Sequence, residues 1–120
     1  MSPHPPQRLL SIDSRGDVAV ARFPPGAVLS GERAEAAGAE LAELATGTAC
    51  PRLLLDFGNV TSVSSLTIGM LLTLHKQVHA AGGRLALCRV SPVIHDIFQL
   101  VKLTQLIPVY GDEEEALRSF

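Results

Sequence analysis

Apolar and polar positions change period several times along the chain, and each change marks an element. Residues 8–13, RLLSID, and 17–23, DVAVARF, read as two short strands; Val18 and Val20 alternate with the smaller Ala19 and Ala21, and Ser14, Arg15 and Gly16 suit the turn of a hairpin. FPPGAV breaks that pattern. SGERAEAAGAELAELA then takes on helical composition, with Ser30 as the expected cap and Glu32 and Glu35 near the positive end of the helix dipole, predicting a helix over 31–46. RLLLDF, 52–57, is a short and nearly unbroken apolar run, the pattern of a strand covered on both faces and therefore central in its sheet.

Over residues 66–81 the positions Ile68, Leu71, Leu72, Leu74, Val78 and Ala81 share one helical arc. Thr73, Lys76, Gln77 and Ala80 take the other side, and AGGR ends the helix. RLALCRV, 84–90, is a further buried strand. Ser91-Pro92 opens a helix over 92–102, Ser as cap and Pro as first helical residue, whose Val93, Ile94, Ile97, Phe98 and Val101 are expected to pack. QLIPVY, 105–110, is a last strand, placed at a sheet edge by Pro108, and GDEEEALRSF closes the chain with a helix whose acidic residues crowd its first turn.

Strands alternating with helices require right-handed crossovers and a mainly parallel sheet. The expected class is α/β: a mixed, mainly parallel sheet of about five strands covered by about four helices, with an antiparallel hairpin at the start. The three prolines among residues 3–6 predict a disordered tail over 1–7, leaving 8–120 as one domain.

Composition narrows the function. Ten Lys and Arg stand against 12 Asp and Glu, four Phe and one Tyr are present and Trp is absent, so the chain offers neither a basic surface for phosphates nor an aromatic platform for bases, and no nucleic-acid partner is expected. No stretch has the length of a secretion signal or a membrane span, which points to a cytoplasmic protein without membrane partners. Cys50 and Cys88 lie outside any CxxC pattern and read as ordinary small residues. His75 and His79 stand four apart without an acidic or cysteine companion, so no metal is expected and His75 reads as a packed, hydrogen-bonded side chain. Glycines do not open a helix in the manner of a phosphate cradle, and no serine has a motif-level His and Asp partner; no catalytic residue, cofactor or enzymatic activity is predicted.

The chemistry left over is concentrated in LLLDFGNVTSVSSLTIG, residues 53–69, at the carboxyl end of the central strand, where open α/β sheets carry their sites. Ser64 and Ser65 stand where strand gives way to helix. One can cap the helix, and a serine there is also a chemically tolerant place for a phosphate, because free first-turn amides and the dipole favour negative charge. Asp56 is expected to accept bonds from loop amides, Thr61, Ser62 and Thr67 are turn and first-turn hydroxyls, and Thr67 is a second candidate phosphate acceptor.

From about Leu9 onward the chain resembles the STAS domain family, which includes the anti-sigma factor antagonists. The family pattern runs from a strand ending in Asp through xVTxxDSSGLG into a helix ending AAGG, then a strand, VSPxVxxxFxLxxLxxLxxVY and EEAL. The chain reads LLLDFGNVTSVSSLTIGMLLTLHKQVHAAGGRLALCRVSPVIHDIFQLVKLTQLIPVYGDEEEAL. In that alignment Ser65 takes the place of the phosphorylated serine, Ser64 that of the family Asp, Leu66 that of the second serine and Thr67 that of the first glycine, while Gly69 keeps the last glycine.

The resemblance implies an anti-sigma factor antagonist-like regulator, monomeric or weakly dimeric. Its partners would be an anti-sigma factor serine kinase with a histidine-kinase-like ATPase fold and a metal-dependent serine phosphatase. Ser65 would be phosphorylated, and Asp56, Asn59, Thr61, Ser62, Ser64, Ser65, Leu66 and Thr67 would form the partner-binding surface. The alternatives are a non-phosphorylated STAS scaffold in a signalling or lipid-transport complex, and a small-ligand site in the cleft near the same loop.

Overall fold

The computed structural model describes residues 9–120; the tail expected over 1–7 lies outside them. The chain runs β1 (Ser11–Arg15), β2 (Val18–Arg22), β3 (Ala27–Leu29), α1 (Gly31–Thr46), β4 (Arg52–Asp56), β5 (Val60–Val63), α2 (Ser65–Ala80), β6 (Arg84–Cys88), α3 (Pro92–Leu100), a single 3₁₀ turn (Leu103–Gln105), β7 (Val109–Tyr110) and α4 (Glu113–Arg118).

Five strands form one sheet in the order β1-β2-β4-β6-β7, with β1 and β2 antiparallel and every other pair parallel, so β4 is central as its apolar run predicts. Alternation along the strands sorts side chains onto two faces. Leu53, Leu55, Leu85 and Leu87 meet Leu41 of α1, Leu71 and Leu74 of α2 and Phe98 of α3 on one face; Val18, Val20, Leu54, Ala86 and Cys88 meet Ala116 of α4 on the other.

Of the caps, Ser91 was expected and Asp112 was not. Ser91 Oγ accepts from Ile94 N–H at 3.4 Å with Pro92 behind it, and Asp112 accepts from Glu115 N–H at 2.8 Å. Ser30 stands at the α1 cap without a side-chain bond. At AGGR, Gly82 turns left-handed at φ +75°, and Gly83 lets the Pro51 carbonyl approach its backbone and accept from Arg84 N–H at 2.8 Å.

Four expectations are corrected, the first being that Val93 and Val101 of the helix expected over 92–102 pack: both are exposed. A second, two-stranded parallel sheet joins β3 to β5, in segments read from sequence as loop. The last strand occupies only Val109–Tyr110 of the expected 105–110, because Lys102 at φ +63° stops α3 and a 3₁₀ turn follows. His75 is half-buried and stacks on His79 with ring centroids 6.0 Å apart, with no hydrogen bond to it among the described residues.

Candidate functional site

The segment from Asn59 through β5 into the first turn of α2 is fastened to residues 23–29 through its polar side chains. Asn59 Nδ2 donates to the Phe23 carbonyl at 2.9 Å, and Thr61 Oγ1 donates to the Ala27 carbonyl at 3.1 Å. Thr67, with no solvent exposure, donates to the Leu29 carbonyl at 2.6 Å and accepts from Ser64 N–H at 3.3 Å. Ser64 and Thr67 are thus arranged as a capping box with only one arm fully closed, since the Ser64 hydroxyl is buried and makes no hydrogen bond.

The three hydroxyls of this corner therefore have different roles. Thr67 is a buried structural strut, which removes it both as a second phosphate acceptor and as an exposed contact. Ser64 is the helix cap, extended at φ −126°, with its oxygen turned inward. Ser65, the first residue of α2, is exposed, and so are its neighbours Leu66, Ser62 and Thr61. No charged residue lies in the first turn of α2, and the first-turn amides of a helix have no partner within it, so Ser65 sits in weakly positive, uncrowded surroundings.

Beside Ser65 a groove of about 450 Å³ runs along the seam of α1 and α2. Gly38 and Ala42 line one wall and Leu66, Gly69 and Met70 the other, and Glu35 is the one charged residue of the lining. Gly38 is required by packing, because a Cβ there would press on Met70 Cγ. Gly69 is not: a Cβ at that position would meet open space.

Asp56 belongs to the opposite face. It follows Leu54 in the alternation of β4, so its carboxylate points toward α4 and away from Ser65. It is 3% exposed, accepts from Gly58 N–H at 2.7 Å as expected of a loop-amide acceptor, and lies 3.4 Å from Arg89 Nη1. Placement on a partner surface does not fit this burial. Its neighbour Glu113 takes a bidentate bond from Arg22, at 2.8 and 2.7 Å, and lies in hydrogen-bond contact with Asp56. Burial and the Glu113 contact push the Asp56 carboxyl above the usual carboxylate range, whereas Arg22 and then Asp56 hold Glu113 down at about 2. Burial raises the Cys88 thiol to about 12, so it stays protonated. Within the acidic first turn of α4, Glu113 alone is half-buried, and its distant partner Arg22, invisible in local sequence, explains why.

The family model described as STAS domain matches residues 12–116. The Anti-sigma F factor antagonist of Paenibacillus polymyxa is 29% identical over 68 residues, which are 57% of this chain and 58% of that protein, so the match spans less than two thirds of the relative's length. A STAS domain protein of Planctomyces limnophilus superposes with a TM-score of 0.83 at 24% identity, covering 92% of this chain and 95% of that one. The anti-sigma factor antagonist SpoIIAA superposes at 0.76 in its unphosphorylated form, with 21% identity over 90% of this chain and 92% of that one. In its phosphorylated form, described as a Bacillus cell fate determinant, it superposes at 0.69, with 20% identity over 92% and 97%. The family model, the element order and the sheet topology agree: the chain belongs to the STAS domain family.

Proposed function

We propose that this protein is an anti-sigma factor antagonist-like regulator that binds an anti-sigma factor serine kinase of histidine-kinase-like ATPase fold through the face around Ser65. Phosphorylation of Ser65 releases the partner, and a metal-dependent serine phosphatase restores binding, all in the cytoplasm. One observation carries the reading: of Ser64, Ser65 and Thr67, only Ser65 is exposed, while Ser64 Oγ and Thr67 are buried. The similarity to SpoIIAA, whose structures include a phosphorylated form, supports it.

The physics of the switch is local. Unmodified, Ser65, Leu66, Ser62 and the apolar groove offer a nearly neutral surface. A phosphate adds roughly two negative charges at the groove mouth, on the side that already carries Glu35. The first-turn amides of α2 accept that charge, so the fold survives, but docking must now desolvate it and binding is lost. The test is a titration of the partner kinase with Ser65→Asp and Ser65→Ala. The Asp variant binds weakly and the Ala variant binds like the wild type; equal binding by both overturns the switch and leaves a constitutive scaffold.

A further inference from the structure

Leu29 at the end of β3 stands opposite Val63 at the end of β5, so α1 and α2 start from adjacent strand ends and run the same way. Their seam is the groove beside Ser65. Its lining reaches from Ser65 to Gln77 on α2, a length of about 18 Å at a helical rise of roughly 1.5 Å per residue. Gly38 faces Met70 across the seam, which places Glu35, three residues earlier on α1, at the end that holds Ser65 and Leu66. The other end, by Thr73 and Gln77, carries no charge in its lining. Glu35 is exposed and joins no ion pair among the described residues.

These walls decide what can lie between them. Both are helices whose backbone groups bond within themselves, so an extended segment would find no main-chain partners along the groove. A helix arrives with its own backbone satisfied and offers a ridge of side chains to a groove of this length. The single carboxylate at one end calls for a cation there. Resting on the kinase-binding role given above, we propose that the groove receives one α-helix of the partner kinase, laid along the seam with aliphatic side chains between α1 and α2 and a Lys or Arg against Glu35. The same pairing gives a phosphate on Ser65 its effect. One cation answers one carboxylate, so a phosphate at that end leaves about two negative charges uncompensated as the helix docks. The contact runs on past the loop to Thr73, about 12 Å along α2 from Ser65.

Calorimetric titration of the kinase into the protein at low and high salt tests this, with ADP in place of ATP so that no phosphate is transferred. The wild type binds, and more tightly at low salt. Glu35→Lys binds about tenfold or more weakly at low salt, and high salt narrows the gap. Glu43→Lys makes the same change of net charge on α1 but lies outside the groove, and it stays within about twofold of the wild type. Thr73→Arg obstructs the far half of the groove and also weakens binding about tenfold. All three positions are exposed on helices and receive residues that favour helix, so the variants fold, as circular dichroism verifies. If the wild type binds but Glu35→Lys is no weaker than Glu43→Lys, or Thr73→Arg binds normally, the helix contact is overturned and the kinase-binding role stands. If the wild type does not bind, that role falls and the contact with it.

Discussion

The Thr67 hydroxyl donates to the Leu29 carbonyl across 2.6 Å, tying the first turn of α2 to β3 from a side chain with no solvent exposure. This bond decides which hydroxyls of the corner face inward. Thr67→Val keeps the shape but removes a donor to a buried carbonyl and an acceptor for Ser64 N–H, so it is expected to cost about 1–3 kcal/mol in denaturant unfolding. A loss below about 0.5 kcal/mol, the range of neutral surface changes, contradicts this role.

Gly69 gives a second prediction. Within a helix, glycine costs roughly 0.5–1 kcal/mol relative to alanine, and here a Cβ would meet only open space. Gly69→Ala is therefore expected to stabilise the fold by about that amount. Gly69→Leu should fold as well but fill the groove, lowering affinity for the partner kinase by about tenfold or more while leaving the unfolding midpoint near that of Gly69→Ala. Unchanged partner affinity in the Leu variant excludes the groove from the binding face.

The carboxyl pair at the end of β4 predicts a pH dependence with a defined sign. Glu113 is held at about 2, below its ordinary 4.5, so its pairing with Arg22 stabilises the fold above that ordinary value and the contribution disappears as pH falls from about 4.5 to about 2. Glu113→Gln should cost roughly 1–2 kcal/mol at neutral pH and flatten the acid limb of stability. Asp56 acts in the other sense: its carboxyl is raised by burial, so its contribution is present when protonated and falls as pH rises through its folded value. Asp56→Asn, which keeps an acceptor for Gly58 N–H, should lessen that fall. Denaturant midpoints measured from acid to neutral pH separate the two effects.

The parts of this fold that were legible in sequence are those with a long or locally capped signal. The apolar run 52–57 announced the central strand, and Ser91-Pro92 marked the start of α3 because cap and first helical residue are adjacent. The β3–β5 pair was not legible: Ala27–Leu29 is too short to show a period, and its partner Val60–Val63 lies far along the chain. Ser64 and Ser65 were visible as a pair, but their difference depends on which oxygen the turn of β5 into α2 directs inward. Asp56 was legible as an acceptor from a loop amide, but its burial beside Glu113 was not, since strand alternation and not proximity in sequence sends it toward α4. The Arg22–Glu113 pair joins the two ends of the domain and leaves no local pattern.

The measurement that bears most directly on the proposed switch is the location of phosphate by mass spectrometry after incubation with the partner serine kinase and ATP. The account predicts a single phosphate on Ser65, absent from Ser65→Ala, with loss of the complex as it accumulates. Phosphate on another residue, or a stable complex that never acquires phosphate, contradicts it.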